Sequence, residues 1–383
     1  MSLPTQHAIV ADHVFDGSTV HAGRAVVIEN ARIAALMRPS ELPGGIAVRK
    51  LPAGVWLAPG FIDLQVNGGG DVLFNDHPAP DALSTIAAAH RKFGTTALLP
   101  TLITDAPEKM RQALAAVQIA MEAQPSVLGI HLEGPFLSPE KPGVHARAFI
   151  RMPEPADEAL LTVARRGVTL LTLAPERVPP GFIARLTAAG VHVALGHSIA
   201  NYQETRTAMV EGLRGFTHLF NAMPPLQARA PGPIGAALEA SEAWYGLIAD
   251  GVHVDPAVLR LALRGAGTPV LVTDAMPPVG GKRAGFTLYG EGILVDGARA
   301  ARKDGTLAGS VLDMAMAVHN CVRLLDLPLP TALRLASAHP AQAIGLGHML
   351  GKLEPGYRAD LVAFDPDGIR VLETWVAGQA GDN

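Results

Sequence analysis

The stretch GFIDLQVNGGGDVLFNDHPAPDALSTIAAAHRKFGTTALLPTL, residues 60–102, sets the rhythm that decides the fold. It opens on a short apolar strand, GFIDLQV, passes a glycine-rich turn, and enters the amphipathic stretch DALSTIAAAHRKFG. That stretch stops at Gly94, as helix C-termini often do, and a second apolar strand, TALLPTL, follows. The order then recurs. Strands VLGIHLE (127–133), VTLLTLA (168–174), HVALGHS (192–198), GFTHLFN (215–221), YGLIADG (245–251) and PVLVTDA (269–275) alternate with helix-like stretches such as PEKMRQALAAVQIAMEA (107–123), NYQETRTAMVEGL (201–213) and PAVLRLALRGAG (256–267). Eight alternations of strand and helix predict an α/β fold, a (β/α)8 barrel of the TIM type.

The ends of the chain read differently. AIVADHVFDGSTVHAGRAVVIENARIAAL near the N-terminus and GKLEPGYRADLVAFDPDGIRVLETWVAG near the C-terminus carry short β-branched runs broken by glycine and Asp-Gly turns. The expected layout is a small β-sandwich domain assembled from residues 1–54 and 351–383, beside a barrel spanning 55–350. After the eighth strand, GFTLYGEGILVDGARA reads as a hairpin excursion, and two helical stretches follow it.

Composition removes several function classes. Of 383 residues, 49% are apolar and 17% charged, and the net charge is about -4, so there is no basic footprint for nucleic acid or for an anionic membrane. Nowhere do 18 apolar residues run together, and the first residues lack the pattern of a secretory signal. Cys321 is the only cysteine, which excludes an internal disulfide and a cysteine metal site and fits a reducing cytoplasm.

In such barrels the chemistry gathers at the C-terminal ends of the strands. Those ends carry Gln65 and Asn67, then Glu133, His197, His218, Asp250 or His253, and Asp274, while the strand bodies are Val, Leu, Ile and Ala. One carboxylate and two imidazoles, with a position left for water, form the ligand set of an open catalytic Zn2+ site; Fe2+, Co2+ and Mn2+ suit the same donors. A lone histidine is more often a hydrogen-bonded core residue, and that is the reading for His90, His192, His319 and His339. His131 shares a face with Glu133 and is either a further ligand, a donor behind the ligands, or core. Asp274 is placed to take a proton from an activated water and return it to a leaving amine, whereas its structural alternative is a turn aspartate ahead of Pro277. Asn221 and Arg229 in the loop NAMPPLQARAPGP, with His253, form a candidate grip for an anionic group. GTLAGS (305–310) offers either backbone amides to a ligand or a helix N-cap at Ser310.

Taken together and in order, PGFIDLQVNG, HLEGPF, GHS, THLFNAM, ADGVHVD, LVTDAM and GTLAGS resemble the N-acetylglucosamine-6-phosphate deacetylases of the amidohydrolase superfamily, over about residues 55–365. The resemblance implies removal of the acetyl group from N-acetyl-D-glucosamine 6-phosphate. It implies Glu133, His197 and His218 as metal ligands, Asp274 as the base that then serves as acid, and His145 of KPGVHA as the group polarising the acetamide carbonyl. Gly143, Asn221, Ala222, Arg229, His253, Leu307, Ala308 and Gly309 would line the sugar-phosphate pocket. It further implies a homodimer in which Arg229 reaches into the partner's site. Three alternatives stand beside this reading. The galactosamine epimer differs by one hydroxyl. Many cyclic amidases use a carboxylated lysine on the fourth strand, which VTLLTLAPE lacks. A non-hydrolytic sugar-phosphate-binding barrel would not need Asp274 beside three ligands.

Gln65 and Asn67 point to one face by the period-two rule. Amidohydrolases usually place His-x-His there to bind one of their metals, and neutral amides are poor ligands for a borderline-soft ion. The pair therefore predicts a single metal per subunit, with the amides serving as hydrogen-bonding groups behind it.

Overall fold

A computed structural model describes residues 6–381, so the outermost limits of the expected small domain, residues 1–5 and 382–383, lie outside the described residues. The eight expected strands are present as β1 (Phe61–Val66), β2 (Thr95–Ile103), β3 (Gly129–Glu133), β4 (Val168–Leu173), β5 (His192–Leu195), β6 (Gly215–Phe216), β7 (Trp244–Leu247) and β8 (Thr268–Leu271). They form one parallel sheet in sequential order from β1 to β8. Helices α1 (Pro80–Arg91), α2 (Pro107–Ala123), α3 (Pro155–Leu161), α4 (Phe182–Ala188), α5 (Tyr202–Val210), α6 (Gly232–Glu239), α7 (Pro256–Ala262) and α8 (Met314–Leu325) follow the strands in turn. Their apolar sides and the outward strand residues share one core, in which Leu64, Leu98, Leu132, Leu171 and Leu195 are at most 1% exposed. No helix among the described residues is long and apolar enough to cross a membrane.

The barrel closes between β1 and β8 by an unusual seam. Only an isolated parallel bridge, Val66 to Ala275, joins the two edges. Side and main chain share the rest. Asp274 N donates to Gln65 O at 3.0 Å and Asn67 N to Ala275 O at 2.9 Å. Below them, the carboxylate of Asp63 accepts from Thr273 N at 3.3 Å and from the Thr273 hydroxyl, at a level where both residues are fully buried. A side-chain acceptor thus replaces missing ladder carbonyls.

The two chain ends meet in one eight-stranded sheet. The strand Trp56–Pro59 pairs antiparallel with Leu361–Asp365 and parallel with Gln6–Phe15, so the first segment of the small domain continues past residue 54 as far as Pro59. This sheet has its own core, built on Ile9, Val26, Ile28, Ile33, Leu57, Leu361 and Trp375.

Between β8 and α8 the chain makes a four-stranded antiparallel sheet, Gly285–Leu288, Glu291–Asp296, Arg299–Ala301 and Leu307–Ser310, which is larger than the expected hairpin. Its apolar side covers Leu73, Ile103, Val144 and Met276 at the barrel mouth. Ser310 ends a strand and donates its hydroxyl to Thr273 O at 2.6 Å; the N-cap of α8 is Asp313, whose side chain accepts from Met316 N. The expected cap at Ser310 is therefore corrected: pairing in the sheet has already engaged that residue.

Burial pushes the Asp63 carboxyl up to about 7. Because this lies above the unfolded value of about 3.9, the group's stabilising contribution is complete below that value and is lost as pH rises through about 7. Thermal unfolding between about pH 4 and pH 8 is expected to show wild type losing stability relative to Asp63→Asn, by an amount on the order of a few kcal/mol. Parallel pH profiles for the two proteins would refute the assignment.

Candidate metal centre and substrate cavity

Glu133 is the last residue of β3, while His197 and His218 lie two residues beyond β5 and β6. His197 and His218 are not in extended backbone. Their φ angles are 48° and 31°, and Asp274 beyond β8 has φ 53°. Left-handed backbone is uncommon for residues with a Cβ and collects at functional sites. Here it turns each strand end abruptly, so that all three side chains converge over the barrel mouth.

His218 Nε2 lies 3.0 Å from Glu133 Oε1, His197 Nε2 lies 3.2 Å from the same oxygen, and the two imidazole nitrogens are 3.1 Å apart. Three donors around a tetrahedral ion with bonds of about 2.0 Å stand about 3.3 Å from one another, so the triangle has the size that Zn2+ requires. Tautomers agree with this. His197 Nδ1 lies 2.8 Å from Lys141 O, which can only accept, so Nδ1 carries the proton and Nε2 turns its lone pair to the centre. Among the described residues, Glu133, His197 and His218 are the one group of three with metal-binding spacing, and all are buried. Burial opposes ionisation of Glu133, but the two imidazoles outweigh it and hold the carboxyl well below its ordinary value.

The two amides of β1 face the carboxylates. Asn67 Nδ2 donates to Asp274 Oδ1 at 2.6 Å, and Gln65 Nε2 donates to the same oxygen at 3.1 Å and to Glu133 Oε2 at 3.3 Å. Asp274 Oδ2 accepts no hydrogen bond from the described residues and is left for the cavity. Burial first, and the nearby Glu133 charge second, push the Asp274 carboxyl up to about 6.

His145 stands on the loop after β3 with Nε2 3.9 Å from Glu133 Oε1. Thr104 engages its Nδ1, with N at 3.3 Å and Oγ1 at 2.9 Å, so Nε2 is the ring nitrogen turned to the centre. Burial, then the neighbouring His197, lower its pKa to about 3, which keeps the ring a neutral donor. His131 is not a ligand. It lies beneath the site between Thr101 Oγ1 at 3.3 Å and Thr172 Oγ1 at 2.7 Å, as a hydrogen-bonded barrel-interior residue.

A cavity of about 370 Å3 opens on these groups. Asn67, Glu133, Gly143, His145, His197, His218, Asn221, Ala222, His253, Asp274, Leu307 and Gly309 all line it. Gly143, at φ 52°, comes so close to His197 that an added Cβ would stand 3.0 Å from Cε1. Gly309, at φ 59°, could not carry a Cβ without meeting Asp274 O at 2.7 Å. Two expected lining residues lie elsewhere. Ala308 is fully buried in the apolar cluster with Met276, because strand alternation turns it away from Leu307 and Gly309. Arg229 is exposed in the loop before α6, outside the cavity of its own chain. Sequence reading missed Glu140, Lys141, Val144, Thr306 and Met276 on the wall, and Thr104 behind His145. The spacing of KPGVHA from Glu133 was the one signal pointing to the first three.

A barrel with metal-binding residues at its strand ends, fused to a sheet made from both termini, defines an amidohydrolase, and the Amidohydrolase family model matches residues 56–381. The chain belongs to this family, which is metal-dependent, and within it to the N-acetylglucosamine-6-phosphate deacetylase group. It is 44% identical over 326 residues to the N-acetylgalactosamine-6-phosphate deacetylase of Shewanella sp. (strain ANA-3), covering 84% of this chain and 82% of the relative. It is 34% identical over 364 residues to the N-acetylglucosamine-6-phosphate deacetylase of Haemophilus influenzae, covering 94% and 95%. The crystal structure of the N-acetylglucosamine-6-phosphate deacetylase from Pasteurella multocida superposes with a TM-score of 0.95 at 35% identity, over 99% of this chain and 100% of that one.

Proposed function

We propose that this chain hydrolyses the acetamide of N-acetyl-D-glucosamine 6-phosphate, giving D-glucosamine 6-phosphate and acetate. The observation that carries the reading is the meeting, over one cavity, of the Glu133, His197 and His218 triangle with a carboxylate, Asp274, held from behind by two amides. One divalent ion held by that triangle, most readily Zn2+, supplies Lewis acidity that makes water a better nucleophile and the acetyl carbon a better target.

The chain's own residues carry the proton and the orientation. Asp274 Oδ2 takes the proton of the attacking water, and an acid of pKa near 6 gives it back to the departing amine nitrogen. Gln65 and Asn67 restrict the carboxylate to one orientation throughout, since both bind Oδ1. His145 Nε2–H donates to the acetyl oxygen as negative charge grows there. Asn221, the backbone at Ala222, and His253, which line the same cavity, receive the sugar phosphate. Arg229, exposed on its own chain, serves the site of the second subunit in a homodimer. The amide NH2 groups of Gln65 and Asn67 occupy the position of the usual histidine pair and present donors there, which disfavours a second cation.

The second reading is the galactosamine epimer, favoured by the 44% identity to a relative named for it. Acetate release from both N-acetylhexosamine 6-phosphates decides between them: faster turnover of the galactosamine substrate would transfer the assignment, and no release from either would end the deacetylase reading. Release is expected to stop on chelation and return with Zn2+. Elemental analysis is expected to find one metal per chain, whereas two fully occupied sites would contradict the role given to the amides. Asp274→Asn is expected to lower kcat by about 100-fold to 10,000-fold with metal content unchanged; near-full turnover would remove Asp274 from the mechanism.

A further inference from the structure

The turn after β7 contains a carboxylate that the mechanism does not use. Asp250 is buried, its side chain 1% exposed, and each of its oxygens has a separate task. Oδ1 accepts from Val252 N at 2.8 Å and His253 N at 2.9 Å, which fixes the turn. Oδ2 lies 2.6 Å from His253 Nδ1. A carboxylate in that position only accepts, so Nδ1 bears a proton and Nε2 is the ring nitrogen left for the cavity that His253 lines. Burial alone would raise the Asp250 pKa, and the bonds from His253 and Val252 outweigh it, so the group stays a carboxylate.

We propose that Asp250 is a positioning residue for recognition of the substrate's phosphate: through Oδ2 it locks the His253 ring and backs it with negative charge, so that Nε2 meets the anionic end of the ligand. The inference rests on the reading of the cavity as a hexosamine 6-phosphate site. A turn aspartate with a purely structural task needs only Oδ1. Its second oxygen would be indifferent to the imidazole, and phosphate binding would not depend on its charge. Neither residue carries the proton or polarises the acetyl group in the reaction, so loss of the pair should weaken binding more than it slows chemistry.

Asp250→Asn separates the two tasks, because the amide oxygen can keep the turn while Nδ2 replaces the acceptor that faces Nδ1. With the protein carrying its metal, calorimetry is expected to show inorganic phosphate binding to this variant about tenfold more weakly than to wild type. KM for N-acetylglucosamine 6-phosphate should rise by a similar factor, with kcat changed by less than about threefold. The double variant with His253→Asn should bind phosphate no more weakly than His253→Asn alone. Losses that add, or a fall in kcat with KM unchanged, overturn the proposal. If Asp250→Asn does not fold, nitrogen-15 spectra of the wild-type His253 ring decide: a proton on Nδ1 and a shift of Nε2 on adding inorganic phosphate support it, and an unmoved Nε2 overturns it. A wild type that neither binds inorganic phosphate nor releases acetate would fail the functional reading itself. A wild type that does both, beside an unaffected Asp250→Asn, would fail this inference alone.

Discussion

The site depends on how β1 is joined to β8. Seven of the barrel's contacts are parallel ladders, with register shifts between β1 and β2, but the eighth is a single bridge reinforced by Asp63 and by the crossed main-chain bonds at Gln65, Asn67, Asp274 and Ala275. Those bonds set the height of Asp274 against β1, and the side chains of Gln65 and Asn67 then grip its carboxylate from the neighbouring strand. Closing the barrel and placing the Asp274 carboxylate are therefore one event. The segment Leu307–Ser310 braces the seam from the far side, since Ser310 N donates to Asp274 O and Met276 N to Ser310 O, both at 2.9 Å.

The electrostatics follow from burying acids beside imidazoles. Glu133 and Asp274 are enclosed in the same volume, and burial of each would favour protonation. They diverge because their partners differ. Two imidazoles hold Glu133 ionised, whereas neutral amides give Asp274 less compensation and leave it near 6. One carboxylate is held ionised and the other takes a pKa close to neutral pH, a difference produced by environment rather than by residue type.

Much of this was legible in the sequence. The period-two strands and glycine-terminated helices gave the barrel, and polar residues at the strand ends, which break an apolar pattern, gave the groups that meet at its mouth, Glu133, His197, His218 and Asp274. What escaped was set by contacts between distant segments. That the amides face carboxylates depends on β1 lying beside β8, some 200 residues later, and on Gln65 reaching β3. Thr104 holds His145 Nδ1 from the end of a different strand. The left-handed backbone at His197, His218 and Asp274 is uncommon for any residue with a Cβ, so no local signal announces it. The cap expected at Ser310 in GTLAGS failed because the segment is a strand, with Gly309 pressed against Asp274, and the helix begins only after Asp313.

The sheet made from both termini has a consequence for how the molecule is made. Pro59, one residue before the barrel begins, pairs with Leu361, a separation of about 300 residues. During synthesis the N-terminal strands leave the ribosome first, yet the strand that completes their sheet is among the last to emerge. Until then Trp56–Pro59 presents one unpaired edge. The nascent chain must carry that open edge through most of translation.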